Sequence, residues 1–432
     1  LPGVALSGHI KDIDKYSALV RTKKTNYDEM FDVDLNLAKA MGHNAYRFSI
    51  SWARLFPNQD MLSPDPAGVD YYRNILASLK KHKITPIVSL FHFSTPEWFW
   101  FEKNGKRGWE RDDAIELFSK FVSSVVENYG TEISHWCTLN EPMTYIFNGY
   151  MQGIFPPLEQ RSINEIGPVV ESLLRAHGAA YKIIKSHGEF HNTKHSVGIA
   201  KHTRAFEPLR NWNLMDRLAA KQVENAFIWD FLDALQTGVL TISNTNYKVE
   251  IPEVINTQDY IGINYYGRYF VKTRFSDLAN PEILFNDPTN ADQMISDLGW
   301  SIYPHGFYQV LTDTHQRYDK PIYILESGMA DSEMNDLRRQ AFLVSHLVEL
   351  WNAIEFGGAD IRGYIHWSLT DNFEWAEGFS ARFGLIKIDY ENNFRREPRV
   401  SAGVYSKIIE ENAVSSELFE KYAKKIGSDS VL

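Results

Sequence analysis

Residues 84–93 read ITPIVSLFHF, a short apolar run rich in β-formers that ends in a histidine between two phenylalanines. A strand apolar on both faces belongs in a parallel sheet covered by helices, because a sheet with one wet face alternates apolar and polar residues. Outward from it the same kind of run recurs: AYRFSISW (45–52) before it, then HWCTLNEP (135–142), SVGIAKHT (196–203), YIGINYYG (260–267), PIYILESG (321–328) and IRGYIHWSLTD (361–371). Helical stretches lie between them, around 68–83 and 111–129, and YDEMFDVDLNLAKAMG (27–42) precedes the first run with an apolar face at Phe31, Leu35 and Ala38. Strands alternating with helices predict parallel β/α units, and so an α/β fold of the (β/α)8 TIM-barrel type. With no low-complexity tract and no Gly/Ser linker, residues 1–432 read as a single domain. Seven strands are evident where eight are wanted. VAL at 4–6 is too short, and GHIKDIDKYSALVRTKKT does not read as a buried strand, so the first barrel strand is not evident and the N-terminal ~25 residues are atypical.

The C-terminal ends of the predicted strands carry Arg47, His92, Asn140 with Glu141, Asn264 with Tyr266, Glu326 and Trp367. In a barrel that end is the active face, whereas the opposite end serves stability. Glu141 and Glu326 stand out, since each follows an apolar stretch where an unpaired charge costs several kcal/mol. They are 326 − 141 = 185 residues apart, on strands three apart in chain order. A strand-end salt bridge would account for either one alone. Together they suit glycosidic bond cleavage, which asks for one protonated and one ionised carboxyl. A separation of about 5–5.5 Å makes the second a nucleophile, and a wider gap admits a water.

Composition narrows the class. Of 432 residues 44% are hydrophobic, enough for a large core, and the net charge of −10 argues against binding a phosphate backbone. The KKHK run at 80–83 reads as a solvated helix end. Cys137 is the sole cysteine, so no intrachain disulfide forms; the chain is compatible with the cytosol, and a cytoplasmic location is the expectation. No apolar stretch approaches the roughly 18 residues needed to span a bilayer. The opening residues lack the basic region and long apolar core of a signal peptide, and the absence of an initiator Met suggests an upstream piece. Aromatics make up 14%, with 11 Trp and 22 Tyr, which suits stacking on sugar faces and equally suits an aromatic core.

Three segments together resemble glycoside hydrolase family 1. Thr138-Leu139-Asn140-Glu141-Pro142 looks like its TxNEP motif, and Tyr323-Ile324-Leu325-Glu326-Ser327-Gly328 resembles its nucleophile motif. WSLTDNFEWAEGFSARFGL (367–385) follows its WSLxDNFEWxxGYxxRFGL segment almost residue for residue. AYRFSISWARLFP (45–57), FHF (91–93) and INYYGRYFV (263–271) fall in the family's order, and the likeness covers roughly residues 25–410. The resemblance implies a retaining exo-β-glycosidase with Glu326 as nucleophile and Glu141 as acid/base. It further implies that Asn140 binds the sugar 2-OH, that His92 binds the 3-OH, and that Arg47 and Tyr266 hold Glu326 ionised. Glu374 would take the 4- and 6-OH, Trp375 the 3- or 4-OH, Trp367 would floor the pocket, and Trp300 would sit near the aglycone entrance, with Asn264 also in the substrate site. Glu374-Trp375 in place of the phospho-glycosidase Ser/Lys/Tyr set implies a non-phosphorylated β-D-glucoside, with β-galactosides or β-fucosides tolerated. No cofactor, metal, nucleic acid or membrane partner is implied. The chain departs from the family pattern in lacking its opening Gln-x-Glu strand and in having Leu325 and Ser327 beside the nucleophile, where Thr and Asn are usual.

Other features carry plainer readings. His187, His191 and His195 at helical spacing suggest zinc, but read as a solvated connection between a helix and a strand. Cys137 reads as a small core residue, and Asp70, Asp112 and Asp113 as acids at helix N-termini. Glu377 reads as an aglycone contact or an exposed side chain alike. A myrosinase-like thioglucosidase is disfavoured by Glu141, since that branch lacks the acid. A sugar-binding pseudoenzyme or defective fragment is the reading from another class, supported by the absent first strand and opposed by both carboxylates.

Overall fold

The computed structural model describes residues 25–60, 62–274 and 276–423. The opening segment in which no first strand was evident lies, up to residue 24, outside the described residues. All seven expected runs form strands: β1 Ala45–Ser49, β2 Thr85–Phe91, β3 His135–Asn140, β4 Ser196–Pro208, β5 Tyr260–Arg274, β6 Ile322–Ser327 and β7 Ile361–His366. Hydrogen bonds link them in chain order, and an eighth member, Asp277–Leu284, lies antiparallel on β5. The path therefore begins at β1 and ends at β7 among the described residues. β2 and β3 are buried over most of their length, as strands covered on both faces must be. β1 is only half-buried at all five positions.

β4 and β5 run past their expected ends at 203 and 267 for different reasons. In β4 residues 205–208 are half-buried, unlike the eight before them. β5 continues because its backbone pairs outward with Asp277–Leu284, from Phe270↔Leu284 to Arg274↔Asp277.

Asn44–His202 with Phe227–Gly262 forms one compact unit. Its helix Pro66–His82 starts where the Asp65 carboxylate accepts from Gly68 N–H at 3.1 Å, with Pro66 in the first turn, and ends at the left-handed Lys83. Helix Ala114–Tyr129 buries Phe118, Phe121, Val122 and Val125, one face at helical spacing. Trp52 centres the aromatic core: its ring stacks on Phe121 at 5.4 Å and meets Trp98 edge-on at 5.7 Å. Five of the 11 tryptophans (Trp52, Trp98, Trp109, Trp136 and Trp229) are buried in this unit, so much of the aromatic excess is core. The histidine triplet is not a solvated connection. His187 and His191 close the helix Gly167–His191, and His195 is buried against Trp136 Nε1 at 3.2 Å and the Ile133 carbonyl at 3.0 Å. The helix runs on through 187–191 because Gly188 admits this close return: a Cβ there would stand 2.7 Å from Thr193 O. Among the described residues no cluster of three or more His, Cys, Asp or Glu has the arrangement of a metal site. Asp113 precedes its helix as expected, but its carboxylate is engaged by Arg111 and Lys103, whose hydrogen bonds hold it well below the usual range.

Residues 25–43, Thr203–Ala226 and Ile263 onward form the second unit. Helix Leu337–Glu355 lays Leu343 and Val344 against Leu385, Ala402 and Tyr405. In β5, consecutive tyrosines point to opposite faces of the strand, as its pleat requires. Tyr265 stacks on Phe307 at 4.9 Å and donates its hydroxyl to Tyr303 O at 2.6 Å. Tyr266 turns the other way, to Glu326.

Candidate active site

In the first unit, strand ends gather Arg47, His92, Asn140 and Glu141. Asn140 is fully buried, and its Oδ1 accepts from Arg47 Nη2 at 2.6 Å. The same guanidinium reaches the Cys137 thiol at 3.8 Å; that thiol is buried and pushed upward by burial, as a core cysteine should be. His92 has Ser49 Oγ 3.3 Å from Nδ1, and burial, helped by Arg47 and opposed by Glu141, takes its pKa down to about 3. It is a neutral hydrogen-bonding group at neutral pH.

Glu141 stands at the turn between β3 and the helix Pro142–Ile146, 5% exposed, with φ 45° and ψ 57°. A non-glycine residue in the left-handed region costs of order 1–3 kcal/mol and persists only where its surroundings enforce it. Here Glu141 N–H donates to Ala200 O at 2.7 Å. Its Oε2 lies 3.2 Å from His202 Nδ1. The sequence reading did not single out His202 or its neighbour Lys201. The available signal was two basic residues ending the buried stretch SVGIAKHT.

In the second unit, Glu326 closes β6 and is 3% exposed, and Tyr266 Oη donates to its Oε2 at 2.7 Å. The neighbouring Leu325 and Ser327 are wholly buried. Trp300 meets the Tyr266 ring edge-on at 5.8 Å and packs near Phe383. Arg204, also missed by the sequence reading, lies buried over the rings of Tyr269 (4.3 Å) and Trp300 (4.5 Å). Asn264 is buried, and its backbone carbonyl accepts from Thr203 Oγ1 at 3.0 Å. Trp367 Nε1 donates to Glu374 Oε2 at 3.4 Å, and Trp375 begins the short turn Trp375–Glu377, half-buried; Glu377 itself is exposed.

The loop bearing Glu374 is anchored by Asp371, a fully buried carboxylate. It accepts from both Arg399 Nη atoms at 3.1 Å, from Gly384 N–H at 3.1 Å and from Ile388 N–H at 3.3 Å. A buried ion pair holds only when its remaining lone pairs are satisfied, and these backbone donors satisfy them.

Parallel β/α units with polar side chains gathered at the strand C-termini are the arrangement of a barrel of the (β/α)8 class, whose active face lies at that end. The family model "Glycosyl hydrolase family 1" matches residues 22–414, and the chain belongs to that family. It is 31% identical over 400 residues to β-glucosidase A of Thermotoga maritima, covering 88% of this chain and 85% of that one. A β-galactosidase of Sulfolobus acidocaldarius is 32% identical over 426 residues, with 88% and 83% covered. Among solved structures, a β-glycosidase from Pyrococcus horikoshii superposes with a TM-score of 0.83 at 34% identity, over 95% of this chain and 92% of that one. A mutant rice β-glucosidase in a covalent complex with glucose gives 0.79 at 27% identity, with 89% and 88% covered. The chain is thus a glycoside hydrolase on a (β/α)8 barrel. No helix among the described residues is long and apolar enough to cross a membrane.

Proposed function

We propose that this enzyme is a retaining exo-β-glycosidase for non-phosphorylated β-D-glucosides, accepting β-galactosides or β-fucosides as well. The observation that carries the reading is the tyrosine hydroxyl 2.7 Å from Glu326 Oε2 in a buried setting. A donor aimed at a carboxylate favours its ionised form, which a nucleophile needs. In the first step the Glu326 carboxylate attacks the anomeric carbon while the glycosidic C–O bond breaks, and Glu141 gives its proton to the departing oxygen. In the second, Glu141, now ionised, takes a proton from water as that water attacks the anomeric carbon and frees Glu326. Asn140, with its Oδ1 on Arg47, would present its amide to the 2-OH, a contact that strengthens in an oxocarbenium-like transition state. His92 would bind the 3-OH, Glu374 the 4- and 6-OH, and Trp375 the 3- or 4-OH. Trp367 would form the floor, Trp300 the aglycone side, and Asn264 would join the substrate site. Covalent glucose on a neighbour of this fold supports the retaining course.

The test is hydrolysis of p-nitrophenyl β-glucoside by the wild type, Glu326→Ala and Glu141→Ala, each with azide. Expected are an active wild type, a dead Glu326→Ala, and Glu141→Ala rescued as the β-glycosyl azide. A wild type inert on gluco-, galacto- and fuco-substrates alike would sink the proposal in favour of a sugar-binding pseudoenzyme.

A further inference from the structure

Glu141 sits in a frame of contacts that the sugar-binding roles do not account for. His202 Nδ1 lies 3.2 Å from Glu141 Oε2, with the two side chains only 8% and 7% exposed. The same nitrogen is 2.7 Å from Thr144 Oγ1, in the short helix that Glu141 itself begins. The imidazole is braced edge-on by Phe227, ring centroids 5.3 Å apart. On the main-chain side Glu141 is tied to Ala200, two residues before His202 on β4. Carboxyl and imidazole are therefore fixed against each other from both ends, in a place where water does not compete.

Other charged or titratable groups act on this pair. Lys201 donates to the carbonyls of His202 and Phe227, and its ammonium lies 4.9 Å from the Phe227 ring centroid. Burial brings its pKa down to about 7, with Glu141 and Asp230 opposing that fall. His92 is neutral, and Arg47 donates to Asn140.

We propose that His202 is a positioning residue for the acid/base: its Nδ1–H holds Glu141 Oε2 while the carboxyl exchanges its proton with the glycosidic oxygen and then with water. The proposal rests on the assignment of Glu141 as acid/base. When Glu141 ionises during glycosylation, a negative charge forms in a buried place, and a donor already in position meets it without rearrangement. Thr144 Oγ1 accepts from the same N–H while the carboxyl is protonated, which keeps the proton on Nδ1. During deglycosylation Glu141 begins as the carboxylate, and the same hydrogen bond holds its geometry as it takes a proton from water. A donor to the ionised form lowers the pKa of the acid, so losing it raises that pKa.

The experiment compares kcat/KM against pH for the full chain on two substrates, 2,4-dinitrophenyl β-glucoside, whose leaving group needs little protonation, and phenyl β-glucoside, which needs full assistance. In His202→Ala the phenyl glucoside should lose roughly 10–100-fold while the dinitrophenyl glucoside is nearly spared, as for any lapse in general acid catalysis. The basic limb should move upward by about one pH unit, the worth of a hydrogen bond to a charged group. His202→Asn, whose amide N–H can stand where Nδ1–H stood, should recover both. Thr144→Val, which removes the acceptor of this N–H in the protonated state, should move the limb the opposite way, downward and by less, and it carries the test if His202→Ala does not fold. Equal losses on both substrates with an unmoved limb in His202→Ala, or an unmoved limb in Thr144→Val where that variant alone is available, would overturn the proposal. Glu141→Ala serves as the control: if it fails to discriminate between the two leaving groups, the acid/base assignment itself falls, a result separable from any behaviour of His202.

Discussion

Replacing Tyr266 by Phe removes the hydroxyl oxygen and with it the hydrogen bond from Oη to Glu326 Oε2 at 2.7 Å. The ring keeps its edge contacts with Trp300 at 5.8 Å and Phe383 at 6.1 Å, so the fold should be undisturbed. Tyr266 is 7% and Glu326 3% exposed, which leaves no bulk water to replace the lost donor. Hydrogen bonds to charged groups are worth about 1.5–3 kcal/mol, and one pKa unit corresponds to about 1.4 kcal/mol, so the Glu326 pKa should rise by about 1–2 units. The direction follows from the form stabilised: the hydroxyl favours the carboxylate, and its loss favours the acid. The acidic limb of kcat/KM, which reports the nucleophile in the free enzyme, should therefore move upward by that amount. The assay is a pH series on p-nitrophenyl β-glucoside, with near-ultraviolet circular dichroism to confirm intact packing. An acidic limb unchanged in a correctly folded Tyr266→Phe would refute the claim that this hydroxyl keeps the nucleophile ionised.

Asp371→Ala should destabilise the enzyme by about 3–5 kcal/mol in urea unfolding, because it leaves the buried Arg399 guanidinium without its carboxylate, with only the Gly384 and Glu333 carbonyls to accept from it. Glu374→Ala should lower kcat/KM for glucosides by about 100-fold with little change in unfolding midpoint, the signature of a lost charge-assisted contact to substrate. Gly328→Ala should abolish activity and alter the aromatic circular dichroism, since a Cβ there would stand 1.9 Å from Trp367 O. Burial depresses the pKa of His177 to about 4 and of His346 to about 3, so each remains neutral in the fold while the unfolded chain protonates near 6.5. Their contribution to stability is complete above about pH 6.5 and is lost as pH falls toward 4 and 3; urea midpoints should decline over that window, less steeply in His346→Gln.

The barrel strands were legible because burial on both faces leaves a mark, four to eight apolar residues together, that does not depend on distant partners. The stretches beyond those runs carry no such mark. The end of β4 lies at half-buried positions, and β5 runs on through pairing with the later segment Asp277–Leu284, a neighbour that only the folded chain supplies. The burial of Glu141 and Glu326 was legible because a carboxylate directly after an apolar run is costly, and motif resemblance suggests a role for each. His202 escaped notice because its significance lies in a contact 61 residues distant in sequence, 202 − 141, and a histidine near a strand end is unremarkable by itself. Asp371 sat in plain view within the matched segment, yet nothing local reveals that its partner is Arg399. The histidine triplet misled for the opposite reason: spacing suggested a ligand set and polarity a loop, while Gly188 allowed the helix to continue and the chain to fold back on it.

The paired tyrosines of β5 tie assembly to the proposed nucleophile. Tyr265 docks the helix Pro304–Tyr318 through Phe307, and Tyr266, one residue on, holds Glu326. A slip of one residue in this strand would exchange their faces, removing the helix anchor and the hydrogen bond to Glu326 together. On the proposed role of Glu326, molecules that settle out of register should be silent rather than sluggish. Specific activity in a refolded preparation should accordingly count correctly threaded molecules, and active-site titration should serve as a direct gauge of folding yield.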